Sequence, residues 1–176
     1  LPRFQMDPDE SVRTAAAMLQ RQREAGSAVA ILFANMPARV FVDGREVLQA
    51  SNPERPAVAS FDSPPGRHVM AIRAPRQAYP DWVQLALRGR DWFVGTDPTW
   101  KFAFNPAEGW AAPEFDDAAW PESGGTGVKG PPEEPFIWVE PDPFLDMQSK
   151  AVGLRPPTDW PPQGGFIVYR KIFTVP

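Results

Sequence analysis

Thr96-Asp97-Pro98-Thr99-Trp100-Lys101, then Gly109-Trp110, then Glu114-Phe115-Asp116-Asp117-Ala118-Ala119-Trp120: this stretch decides how the chain is read. It sets tryptophans at 100, 110 and 120 and a pair of aspartates between Phe115 and Trp120. Apolar anchors alternate with turn-forming residues, and no nucleophile–base pair stands among them. The pattern points to a β-sandwich recognition domain rather than an enzyme.

The strands are legible on both sides of it. Ala28 to Ala34 is a continuous apolar run between Gly26 and Asn35, suited to a strand buried on both faces. Arg39–Val42, Asp43-Gly44 and Arg45–Leu48 spell a hairpin, because Asp-Gly favours the type I′ turn whose twist matches paired strands. Val58–Phe61, His68–Ile72 and Trp82–Leu87 read as further strands, with turns at Pro64-Pro65-Gly66 and Ala78-Tyr79-Pro80. Asp91–Val94, Trp100–Phe104 and Phe136–Val139 follow. Phe166–Val175 is the strongest strand, long and β-branched, and is expected to lie centrally with non-local pairing. About nine strands without crossover helices give an all-β, antiparallel sandwich and exclude a parallel α/β fold.

The ends and loops complete the organisation. Asp7, Pro8 and Glu10 form an N-terminal helix signal, and Val12, Ala15, Ala16 and Leu19 share one stripe before Gly26. The division is therefore a helical extension over residues 1–27 and a sandwich over 28–176. Residues 121–135 and the Pro-flanked Trp160 lie in long Pro/Gly-rich loops.

Composition narrows the chemistry. The 176 residues include 7 Trp, 12 Phe, 23 Pro and 13 Gly, too aromatic for a disordered chain. There is no cysteine and one histidine, which removes thiolate chemistry and leaves little for a histidine metal site or catalytic triad. Net charge is −4, with ten acidic groups and one basic group between 107 and 146. No Lys/Arg stripe exists, so nucleic acid is not the expected partner. No apolar run reaches the roughly 18 residues of a membrane-spanning helix.

The candidate functional residues are Trp110, Trp160, Asp116 and Asp117. Trp110 and Trp160 stand beside Gly or Pro in loop-like sequence, which gives them a better chance than Trp100 and Trp120 of an exposed indole that could stack on a sugar. Trp100 and Trp120 are expected in the core. Asp116 or Asp117 is expected to cap a tight turn with its own side chain. The alternative is a structural calcium ion held by hard oxygen ligands, with Glu114, but no cofactor is favoured.

The same residues resemble a known family. Val40-Phe-Val-Asp-Gly-Arg-Glu-Val47 resembles the "vyvNG" hairpin of galactose-binding-like (jelly-roll) β-sandwich domains. Gly66–Arg73 resembles the strand that follows it there. The stretch from Thr96 to Trp120 resembles their "TD.sWk … gW … fDDs.W" signature. Tyr169-Arg-Lys-Ile-Phe-Thr-Val-Pro176 is similar to the closing "yRktFtvP" strand of sugar-binding domains in large glycoside hydrolases. The likeness runs over about residues 28–176. It implies a non-catalytic module that binds carbohydrate or holds modules together, and the first expectation is carbohydrate recognition outside the cytoplasm, whether periplasmic or secreted. The N-terminal helix departs from the family pattern, and the usual catalytic module is not in this sequence. Both leave open a second expectation: an accessory subunit holding other protein subunits of an envelope or membrane-associated complex through its loops and helix.

Overall fold

A computed structural model describes residues 27–50, 56–75, 83–123, 151, 153–154 and 164–176. The expected N-terminal helix, the strand at Phe136–Val139, Trp160 and most of the Pro/Gly-rich loops lie outside these residues.

Among the described residues nine strands form two antiparallel sheets, and there is no helix. The four-stranded sheet runs β4 (Ala57–Asp62), β1 (Ser27–Ala34), β6 (Val83–Arg88), β7 (Phe93–Gly95). The five-stranded sheet runs β3 (Arg45–Ala50), β2 (Ala38–Val42), β5 (Gly66–Pro75), β9 (Phe166–Val175), β8 (Lys101–Phe104). One shared core joins them, giving the chain its sandwich character. Ala30, Leu32, Val83, Leu85 and Leu87 of one sheet meet Val40, Met70, Ile72, Phe102, Ile167 and Tyr169 of the other. These positions alternate along their strands, as the two-residue period of β structure requires.

Strand β1 is buried along nearly its whole length, as its unbroken apolar run requires. Ala30, Leu32 and Ala34 enter the shared core, while Val29 and Ile31 join Ala86 and Ala151 in a second cluster. Strand β9 pairs with β5 over ten residues and with β8 on its other side, so it is interior and its principal partner is distant in sequence.

The Asp43-Gly44 corner has the expected form. Both residues have positive φ, 49° and 81°, as a type I′ turn demands. A bulge between Val40 and Phe41 shifts the register against β3. The Asp43 side chain does more than form a turn. Its Oδ1 accepts from the Val69 amide at 2.8 Å, and its amide donates to the Val69 carbonyl at 2.9 Å. The corner is thereby stitched to β5.

Candidate functional site

The decisive stretch begins as a corner between the sheets. Thr96 is buried and trades hydrogen bonds with Leu85, its amide donating at 2.8 Å and its Oγ1 accepting at 3.1 Å. Asp97 Oδ1 then accepts from the Thr99 amide at 2.7 Å, a side-chain-closed turn. Lys171 of β9 reaches Asp97 Oδ2 at 3.2 Å and also bonds Thr99 Oγ1. Trp100 emerges from this turn fully buried, with its indole N–H donating to the Gly95 carbonyl at 3.0 Å.

Residues 105–121 form a strap across the outer face of the five-stranded sheet. A chain of short turns builds it, with amide-to-carbonyl bonds from Ala112 to Gly109, Phe115 to Ala112 and Trp120 to Asp117. It returns to the open edge of β8, where Phe102 donates to Pro121 and Ser123 to Trp100. That return covers backbone groups which an edge strand otherwise presents to other chains.

Arg170 holds the strap down. It lies on the face of β9 that points away from the core, yet is 1% exposed. Its Nε donates to the Trp110 carbonyl at 3.1 Å, its Nη2 to the Ala112 carbonyl at 3.0 Å, and its Nη1 to Asp117 Oδ2. Lys101 supplies the other side, donating to Asp117 Oδ1 at 2.9 Å and to the Asp117 carbonyl at 3.0 Å. Burial alone would raise the Asp117 pKa, but the bonds and charges of Lys101 and Arg170 outweigh it and hold the carboxyl below its ordinary range. Under the strap, Val69, Ala71 and Val168 are fully buried on what would otherwise be a solvated face.

The two aspartates thus have separate tasks. Asp116 is exposed, and its Oδ1 accepts from the Ala118 amide at 2.9 Å, the expected turn cap. Asp117 points inward, with both carboxylate oxygens taken by cations. Among the described residues no group of three or more His, Asp or Glu is placed to hold a metal ion.

Trp110 is half-buried at the far end of the strap. It meets Phe41 of β2 edge-on, with ring centres 5.0 Å apart, and stands 6.5 Å from the Phe166 ring of β9. Phe166 is itself fixed by Asn105, whose Oδ1 accepts its amide at 2.8 Å and whose amide donates to its carbonyl at 3.0 Å. Gly165, at φ 80°, lies so close that an added Cβ would stand 2.1 Å from Asn105 Oδ1. Trp120 packs on Phe115 with centres 5.5 Å apart and is half-buried, short of the full burial expected for it. Trp160 lies outside the described residues, so the two candidate tryptophans are not brought together here.

Sequence reasoning singled out neither Arg170, Phe41 nor Phe166. A cation within an otherwise apolar strand was the available signal for Arg170, because a buried guanidinium requires acceptors.

His68 forms a separate polar knot. Its Nδ1 lies 2.6 Å from Asp43 Oδ2 and its Nε2 2.7 Å from the Pro64 carbonyl oxygen. Both neighbours accept, so the arrangement suits the doubly protonated ring. Burial lowers the imidazole pKa, but these bonds and the Asp43 charge outweigh it, and the net shift is upward from 6.5. A folded-state pKa above the unfolded one stabilises fully below the unfolded value, and that stability is lost as pH rises through the folded value. The stability difference between the wild type and His68→Gln is therefore expected to shrink between about pH 5 and pH 8 in urea titrations. A difference that grows over that interval contradicts the assignment.

The described residues define a two-sheet antiparallel β protein with an ion-tied strap and a half-open aromatic cluster. No protein-family model matches the chain, and neither does any curated protein. Among solved structures, Streptomyces avermitilis α-L-rhamnosidase complexed with L-rhamnose is similar at 27% identity and a TM-score of 0.48. The similarity covers 56% of this chain and 11% of that one.

Proposed function

We propose that this chain is a non-catalytic recognition module of the galactose-binding-like, jelly-roll kind, working outside the cytoplasm, and that it binds carbohydrate through Trp110. One observation carries this reading: the half-buried Trp110 is set beside Phe41 and Phe166 in a strap tied to buried Arg170. Sugar rings present apolar C–H faces that pack on aromatic rings. A platform fixed before binding spares the ligand the cost of ordering it. The ionic groups around it support the same reading, because Asp117, Lys101 and Arg170 spend their hydrogen bonds on one another and on the strap backbone.

Calorimetry against a panel of oligosaccharides tests it. The wild type is expected to bind at least one of them. Trp110→Ala is expected to weaken that binding by about 2 kcal/mol or more, as for a central aromatic anchor. Trp120→Ala is expected to leave it unchanged. A blank panel, or equal binding by the Trp110 variant, rejects the reading.

A further inference from the structure

Two arginines flank the aromatic cluster. Arg39 of β2 and Arg73 of β5 are register partners, so they stand side by side on the outer face. Phe41 shares that face two residues along from Arg39, and Phe166 shares it opposite Pro75. Like charges directly opposite each other in a ladder are destabilising. Arg39 is compensated by an ion pair with Glu46. Arg73 is not so compensated: among the described residues no carboxylate lies within ion-pairing distance of it. Its guanidinium rests 4.3 Å from the centre of the Phe166 ring. A guanidinium carries five N–H donors in a planar fork, and contact with a ring does not spend them on acceptors.

We propose that this patch selects an acidic carbohydrate, a uronate-bearing oligosaccharide whose sugar ring lies on Trp110 and whose carboxylate is taken by the Arg73 fork. The proposal rests on the carbohydrate reading and narrows its ligand class. A carboxylate is the occupant that the chemistry favours, because a planar guanidinium matches it with two parallel hydrogen bonds. The ligand charge also relieves the repulsion between Arg39 and Arg73 that Glu46 offsets on one side only. A neutral sugar engages the rings and leaves that repulsion in place. An acidic peptide engages the arginine and makes little use of three aromatic neighbours.

The test is calorimetry of the full chain with an oligogalacturonate and with its methyl ester of the same length, which replaces each carboxylate charge by a neutral methyl ester. The acid is expected to bind about tenfold or more tightly than the ester. Its advantage is expected to fall as salt is raised. Arg73→Gln is expected to remove that advantage while ester affinity stays within about twofold, its thermal unfolding being that of the wild type. Equal binding of acid and ester by the wild type overturns acid selection and leaves the carbohydrate reading standing. Binding of neither, with a blank neutral panel, overturns both. A sulfated oligosaccharide that binds more tightly than the uronate also overturns the carboxylate assignment. The comparison of acid with ester needs no variant, so the outcome does not depend on the fold tolerating a substitution.

Discussion

Arg170→Met is expected to lower the free energy of unfolding by about 3–5 kcal/mol, the range for removing one member of a buried ion pair. The loss has three parts. Asp117 is left buried with Lys101 as its remaining cation. The carbonyls of Trp110 and Ala112 lose their donor. The strap over Val69, Ala71 and Val168 loses its central tie, opening a fully buried face to water. Urea denaturation measures the change. Lys101→Met provides the contrast. Its side chain is 32% exposed, so the loss is expected to be nearer 1 kcal/mol. Equal losses for the two variants would mean that Arg170 is not the anchor.

The same cluster sets an acid limit. Asp117 has its folded pKa below the ordinary 3.8. Its stabilisation is therefore present above that ordinary value and is lost as pH falls through the lower folded one. Asp97 follows the same rule. Burial works against its charge, but bonds from Thr99 and Lys171 overcome it and lower its pKa.

Trp100→Ala is expected to cost about 3–5 kcal/mol, the usual range for emptying a fully buried indole site. Trp100 ranks among the largest fully buried side chains and enters the core that both sheets share. The change also leaves the Gly95 carbonyl without its indole donor. Trp120→Ala removes a half-buried ring whose aromatic neighbour is Phe115, and is expected to cost much less. Similar losses for the two would contradict the placement of Trp100 at the centre and Trp120 at the rim.

These two residues also show what could be read from the chain. Trp100 as core, the Asp43-Gly44 corner and the buried β1 run were all legible, because each follows from local propensity or from unbroken apolar sequence. The strap was not. Val69, Ala71 and Arg73 alternate with Met70 and Ile72, a pattern that by itself suits a strand with unequal faces, yet both faces of β5 are buried over most of its length. What covers the outer face arrives from residues 105–121, and its tie to Arg170 spans 53 positions from Asp117. No short-range pattern encodes a contact of that separation. The aspartate pair illustrates the same limit: a turn cap can be seen from Asp116 and Ala118 alone, whereas the inward turn of Asp117 depends on a strand near the far end of the sequence.

Trp110 belongs to both accounts. Its position beside Gly109 made exposure more open to it than to Trp100 or Trp120, and the structure leaves it half-buried against Phe41. On the carbohydrate reading, the strap contributes by setting this ring beside Phe41 before a ligand arrives.

The most direct measurement is nuclear magnetic resonance of the isotopically labelled chain, following the tryptophan indole N–H signals during titration with the oligogalacturonate. The Trp110 signal is expected to move in proportion to saturation, together with the backbone amides of Phe41 and Phe166, while the Trp100 signal stays still. Movement at Trp100 without Trp110, or no movement of any indole signal with this or any neutral oligosaccharide, would contradict it.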